Sequence, residues 1–288
     1  MIEFEWIWLW LVLMGLGTGM YGVLVGAGGG FILAPLLLIF FHKEPNVVAG
    51  TVLALVAVNS ISGAITFSRM GIVDKRTSYL FVAAAIPGSV LAPFVLKAFV
   101  QGSPGVFHIL FGIMLILLAI RILTKQDRTE EIADRRGEEL TPTRPDTRMV
   151  RSRTIITKKG VTYRYQFNEG FATAINFVLG FISSFFGIGG GFLRTPILIY
   201  TFGFPVQVAV ATSIFTLSFY TTAGAITHAW LGHIEFFPTF VLAGVGLIVG
   251  GQIGAKLTGV VRGPWIMRML LVVVFVLGIS LVAQGIKG

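Results

Sequence analysis

A five-residue glycine pattern that occurs twice constrains this chain more than any other feature. Gly26-Ala27-Gly28-Gly29-Gly30 is followed by Phe31 and Pro35, and Gly187-Ile188-Gly189-Gly190-Gly191 is followed by Phe192 and Pro196. Both copies interrupt apolar sequence in which a helix would otherwise run on. A glycine costs a helix about 1 kcal/mol relative to alanine, so several in five positions break it. Apolar runs of about 20 residues recur along the chain, each long enough to cross the hydrocarbon core of a bilayer. A broken backbone at that depth is tolerated only where protein buries it or it lines a cavity. Two such breaks at corresponding places in two halves point to a binding site.

Composition agrees with the class those runs suggest. The 288 residues are 55% hydrophobic and 12% charged, with mean hydropathy +0.86. A soluble domain carries about 25% charged residues, so the expected fold is an all-α polytopic membrane protein in a lipid bilayer. There is no cysteine, which excludes disulfides, thiolate metal sites and cysteine nucleophiles together. The first apolar stretch, 6–25, has no positively charged region before it and is followed at once by the first glycine motif. It reads as a retained span, not a cleaved signal.

Five apolar segments are expected in each half: 6–25, 31–42, 46–68, 78–98 and 106–123, then 170–186, 192–204, 206–229, 237–255 and 265–286. The second of each set is too short to span alone, and a proline suits the first turn of a helix, so each reads as a half-helix starting near the midplane. Sliding the first half by 161 residues superposes the glycines, Phe31 and Pro35 on their counterparts, Thr51 on Thr212, Gly63-Ala64-Ile65-Thr66 on Gly224-Ala225-Ile226-Thr227, Gly71 on Gly232 and Asp74 on Glu235. One unbroken offset over 49 positions marks a duplication. The organisation read from it is a first repeat over 1–124, a linker over 125–168 and a second repeat over 169–288.

The linker holds 11 of the 22 Lys and Arg and 7 of the 13 Asp and Glu. Thr129–Leu140 reads as a short charged helix, and the stretches flanking Lys158-Lys159-Gly160 read as a β-hairpin. Interspersed acids favour a solvated cytoplasmic linker over a nucleic-acid patch, despite the net charge of +9; attraction to anionic lipid is a further reading. If all five segments of each half cross, the loops with Arg69, Lys75 and Arg76 and with Lys256 and Arg262 join the linker in the cytoplasm, and the second half is inverted. If each glycine motif is a re-entrant hairpin, each half crosses four times and the repeats are parallel. The Lys and Arg distribution favours inversion.

The glycines carry two readings. One is close helix packing through small residues. The other is that a half-helix N-terminus exposes unpaired N–H groups and the positive end of a dipole, which favours an anion. Nucleotide binding fits poorly, since no Gly-Lys-Ser/Thr follows and no βαβ unit surrounds either motif. Arg194 sharpens the anion reading. Its counterpart is Leu33, and a charge near mid-membrane costs about 2.5–3.5 kcal/mol or more and marks a pathway or an ion pair. Few acidic partners lie in the spans, so a small anionic substrate is the economical counter-ion. The candidate substrate-binding set is Gly28, Gly29, Gly30, Phe31 and Thr51 with Gly189, Gly190, Gly191, Phe192, Arg194, Thr212 and Asn176. Asn59, Ser60, Ser62, Ser213, Thr216 and Thr221 lie on the same helices as Thr51 and Thr212, which rank first because the repeat pairs them.

His228 and His233 are five apart, so the i, i+4 spacing of a zinc site is not met. An interfacial structural role is favoured over coupling to a proton, and the coupling ion stays open. Neither a Ser-His-Asp set nor paired carboxylates lies in the spans, so an enzyme is not expected, and no cofactor is implied.

In its paired glycine motifs ending in proline, its duplicated halves and its length, the chain resembles the TauE/SafE sulfite-exporter family, also called the 4-toluene sulfonate uptake permease family. The resemblance covers everything except 125–168. It implies movement of sulfite, sulfonates or related sulfur-containing anions across the cytoplasmic (inner) membrane. Two functions remain open on the sequence: a secondary transporter working by alternating access, and a membrane-embedded sensor or scaffold whose linker binds a partner. Oligomeric state is open as well.

Overall fold

The computed structural model describes residues 2–41, 43–100, 104–124, 150–158, 160–258 and 263–287. The expected Thr129–Leu140 helix lies outside the described residues, as does Arg262. The helices are α1 (Ile2–Val25), α2 (Gly30–Phe41), α3 (Pro45–Met70), α4 (Lys75–Val100), α5 (Pro104–Leu123), α6 (Glu169–Phe186), α7 (Gly191–Tyr200), α8 (Val206–Trp230), α9 (Val241–Leu257, preceded by a single π turn at Phe236–Phe240) and α10 (Gly263–Lys287). Between α5 and α6 an antiparallel hairpin pairs β1 (Val150–Ile156) with β2 (Thr162–Asn168).

Among the described residues, six stretches are long and apolar enough to cross a membrane: Trp6–Val25, Pro45–Met70, Lys75–Phe99, Glu169–Phe186, Val206–Trp230 and Phe236–Leu257. The chain is a polytopic helical membrane protein. α3 and α8 form its centre, with 78% of their apolar windows buried against 39–44% for the other four. They run in opposite directions: Gly63 meets Ile214 and Gly224 meets Leu53. Each contact is the image of the other under the 161-residue offset.

The halves exchange their first helices. α1 lies along α9 in the same direction, with Gly15 against Ala243, Gly19 against Leu247, and Gly246, Gly250 and Gly254 against Val12, Leu16 and Met20. A Cβ at any of these five glycines would stand 2.0–2.4 Å from a carbonyl oxygen of the facing helix. This is the small-residue spacing that lets helix backbones meet in lipid, where water does not drive association. α4 and α6 repeat the arrangement, with Gly88 against Phe177 and Gly180 against Ala85. α5 and α10 pair antiparallel through Gly112 with Gly278 and Gly285 with Gly105.

Both glycine motifs turn the chain back on itself. Gly26, Gly28 and Gly29 have φ of 82°, 74° and 96°, and their equivalents Gly187, Gly189 and Gly190 have 69°, 80° and 59°. These are left-handed conformations that a side chain would strain. After the first turn Gly29 rests on the Thr18 carbonyl and against Gly22 of α1, so α2 starts about 10 Å back along α1 at 1.5 Å per residue. Gly190 rests on Leu179 and Ser183, the equivalents of Thr18 and Gly22. The prolines fall later than expected. Pro35 and Pro196 are the sixth residues of α2 and α7, past the first turn, where proline removes the helical donor to the carbonyl four residues back. Here those carbonyls belong to Phe31 and Phe192.

The ends of the bundle are tied symmetrically. Thr51 Oγ1 accepts from the Glu235 backbone N–H at 2.8 Å, and Thr212 Oγ1 accepts from the Asp74 N–H at 3.2 Å. Thr51 lies near the start of α3 and Asp74 just past its end, where the Met70 carbonyl accepts from Lys158 N. The two ties therefore sit toward opposite ends of the bundle, about 29 Å apart along the helix from Thr51 to Met70 at 1.5 Å per residue. At one end Glu235 pairs with Lys43 at 2.5 Å and accepts from Thr239 Oγ1 at 2.6 Å. At the other end the hairpin is clamped down. Asp74, buried, accepts from Tyr165 Oη at 2.7 Å and Thr77 Oγ1 at 2.5 Å and lies 3.6 Å from Arg153 Nε, while Arg153 also pairs with Glu169. Burial, with the Asp74 carboxylate beside it, pushes the Tyr165 phenol well above its usual range, so it remains a donor. Tyr165 and Phe167 pack on Phe204, with centroids 4.3 and 4.8 Å away.

Candidate functional site

The two broken backbones meet. A Cβ on Gly30 would stand 2.9 Å from the Ile188 carbonyl oxygen, and one on Gly191 would stand 2.2 Å from that of Gly26. Phe31 and Phe192, the first residues after the motifs, stack at 5.6 Å with planes 10° apart. Carbonyls freed by the turns are taken up from the long helix that follows each half-helix. Asn59 Nδ2 on α3 donates to the Gly28 carbonyl at 3.0 Å, and Tyr220 Oη on α8 donates to the Gly189 carbonyl at 2.5 Å. Asn59 and Tyr220 are equivalent under the offset. The Gly26 carbonyl accepts from Ser213 Oγ at 2.9 Å and Thr195 Oγ1 at 3.3 Å, both in the second half.

Arg194 projects from the first turn of α7 and is fully buried. Its Nε donates to Asn176 Oδ1 on α6 at 2.7 Å, and its Nη1 donates to Tyr220 Oη at 3.2 Å, with Cζ 4.7 Å from the Tyr220 ring centroid. Asn176 is itself held by donating to the Ala172 carbonyl at 2.7 Å. Every partner is neutral; among the described residues no carboxylate pairs with this guanidinium. Nη2 is buried with no hydrogen-bond partner, as are Ser183 Oγ and Ser184 Oγ on α6. Ser183 and Tyr220 both border Gly190. With Nε and Nη1 engaged, Nη2 is the buried charged donor left unused beside the Ser183 hydroxyl.

The structure therefore brings Arg194 and Asn176 together beside Gly189 and Gly190, and packs Gly28, Gly29, Gly30 and Phe31 against Gly191 and Phe192. Thr51 and Thr212 stand apart. They lie eight residues before Asn59 and Tyr220, about 12 Å along their helices, with their oxygens engaged by the end ties. Thr216 and Thr221 donate to carbonyls of their own helix, Thr212 and Leu217, at 2.8 and 2.6 Å. Tyr220 escaped the sequence reading, although the offset pairs it with the polar Asn59. Near the Glu235 end, His228 Nε2 stands 3.0 Å from the Ser184 carbonyl and its Nδ1 is 3.2 Å from His233 Nδ1. A carbonyl only accepts, so His228 carries its proton on Nε2 and His233 donates from Nδ1. Two neutral imidazoles satisfy the pair. Among the described residues no group of three His, Asp or Glu could hold a metal.

Broken helices that meet beside a buried cation in a polytopic helical bundle are an arrangement found in membrane transporters. The chain belongs to the TauE/SafE sulfite exporter family, whose model matches residues 11–281. It is 30% identical over 278 residues to a probable membrane transporter protein of Bacillus subtilis, covering 93% of this chain and 95% of the relative. A probable membrane transporter protein of Methanocaldococcus jannaschii is 25% identical over 275 residues, covering 91% and 90%. Sulfite exporter TauE/SafE family protein 6 of Arabidopsis thaliana is 30% identical over 86 residues, covering 30% and 20%. No solved structure matches the chain.

Proposed function

We propose that this transporter is a secondary carrier of a small sulfur-containing oxyanion, sulfite or a sulfonate, across the cytoplasmic membrane by alternating access between inverted halves. The observation that carries the reading is Arg194: fully buried, held by neutral partners, with Nη2 unused. A buried charge without a counter-charge costs several kcal/mol, and a substrate anion would supply that counter-charge. The Ser183 hydroxyl nearby, buried without a partner, suits a further oxygen.

The opposed directions of α3 and α8 support inversion, since equivalent helices of inverted repeats run opposite ways. Each glycine motif turns back, with Trp8 of α1 against Phe237 and Lys43 after α2 on Glu235 at the same end. Each half thus crosses three times in place of the expected five, and the odd number still inverts the second. The cations around Arg69, Lys75, Arg76 and the hairpin support a cytoplasmic hairpin end. On this reading the Asp74 and Glu235 ties are equivalent closures at the two faces, and the described state is shut at both. Uptake of labelled sulfite or an alkyl sulfonate into proteoliposomes tests the function. Counterflow abolished by Arg194→Leu is expected; flux of neither anion above that of protein-free vesicles would refute the proposal.

A further inference from the structure

A second cationic feature lies on the outside of the bundle, away from Arg194. An open groove of about 730 Å³ lies between α3 and α8, reaching Arg69 and Lys158 toward the hairpin end. Its walls are apolar, with Ile61 and Ile65 from α3 and Phe215 and Phe219 from α8. On the α8 wall, the Ser218 and Thr222 hydroxyls donate to carbonyls of their own helix, those of Phe215 and Ser218. At its mouth stand two exposed cations, Arg69 in the last turn of α3 and Lys158 at the hairpin tip, and no acidic residue lines it. From Ile61 to Arg69 is about 12 Å along the helix, close to half of the roughly 30 Å hydrocarbon core.

The duplication supplies an internal comparison. Arg69 is equivalent to Trp230, and Lys158 belongs to the linker and has no equivalent. The corresponding rim at the other end of the bundle is therefore an exposed tryptophan stacked edge-on to Phe94, with centroids 6.1 Å apart. Tryptophan sits at either interface whatever the headgroup, whereas paired cations select an anionic one. The asymmetry is one of headgroup charge, not of depth.

We propose that the groove between α3 and α8 is a binding site for one anionic phospholipid, its acyl chain along Ile61, Ile65 and Phe219 and its phosphate between Arg69 and Lys158. Because the hairpin supplies one of the two cations, the bound lipid would join the linker to the central helix pair.

Full-length protein in nanodiscs of phosphatidylcholine with added phosphatidylglycerol, extracted and examined by native mass spectrometry, tests this. Wild type is expected to retain one phosphatidylglycerol in preference to phosphatidylcholine. Arg69→Gln with Lys158→Gln should lower that preference roughly ten- to thirtyfold, two cations at about 1 kcal/mol each. Ile65→Trp, at an exposed position on the groove wall, should displace the lipid while leaving the melting temperature in detergent unchanged. Equal retention of the two lipids by wild type, or undiminished phosphatidylglycerol in the double variant, would overturn the proposal. Labelled-anion flux is a separate readout, so failure here leaves the Arg194 reading standing, and the reverse.

Discussion

Phe31 and Phe192 touch, face to face, although 161 residues separate them. The two are equivalent under the 161-residue offset, so the same position of each half packs on the other. The glycine motifs that precede them are thus brought together at the centre of the molecule, each broken backbone closing on the other. Arg194 follows two residues past Phe192, and its counterpart Leu33 leaves the pair unequal.

The stacked pair should be energetically coupled. Aromatic pairs contribute about 0.5–1.5 kcal/mol beyond their buried area. Phe31→Leu and Phe192→Leu are expected to destabilise by less together than the sum of the singles, by that amount. A double-mutant cycle on thermal or denaturant unfolding in detergent measures the coupling, and additive effects would show that the contact contributes nothing of its own.

Arg194 tests the anion site. A charge-assisted contact is worth about 1.5–3 kcal/mol, or roughly ten- to a hundredfold in affinity. Arg194→Leu should lose most anion binding and Arg194→Lys part of it, because an ammonium cannot reproduce the planar fork. Both should fold, with Asn176 left to find another partner. Sulfite binding by calorimetry, with melting temperature in parallel, separates the outcomes; normal binding by Arg194→Leu would make the guanidinium structural.

Gly29→Val and Gly190→Val should fail at folding, before transport. The added Cβ would stand 2.6 Å from the Thr18 carbonyl oxygen in one case and 2.9 Å from Ser183 Cβ in the other, each on a left-handed backbone. Such strain costs about 1–3 kcal/mol before any clash. The check is the yield of monodisperse protein after membrane extraction. Wild-type yield with abolished flux would instead mark these glycines as positions of ligand approach.

Arg153→Ala should loosen the hairpin while sparing the helices. It removes the cation shared by Asp74 and Glu169, and losing a hydrogen bond to a charged group costs about 1.5–3 kcal/mol. Asp74 keeps Thr77 and Tyr165, so the bundle should hold. Hydrogen exchange of the 150–158 and 162–168 amides is expected to rise by one to two orders of magnitude, with exchange in α3 and α8 unchanged. An unaltered hairpin would show that the Tyr165 and Phe167 packing on Phe204 suffices to hold it.

The sequence by itself determined where the helices run and where they break. Length, hydropathy and glycine content are local properties, and the observed bounds of α3, Pro45–Met70, differ from the expected 46–68 by only a residue or two. A constant offset likewise identified Gly26 with Gly187 and Asp74 with Glu235, because a duplication is written in the letters. What only the tertiary structure decided is which side of each helix matters. α3 and α8 mix hydroxyl and apolar residues on every side, so neither has a periodic stripe to say which face meets a partner. So Thr51 and Thr212, matched by the repeat, turned out to tie the ends of the bundle. Tyr220, which the repeat matched to a residue of another type, holds both the Gly189 carbonyl and Arg194. The pairing of α1 with α9 across the halves was equally hidden. It rests on carbonyl-to-glycine contacts between residues more than two hundred positions apart, and in lipid no hydrophobic force sorts one apolar helix from another; backbone fit does.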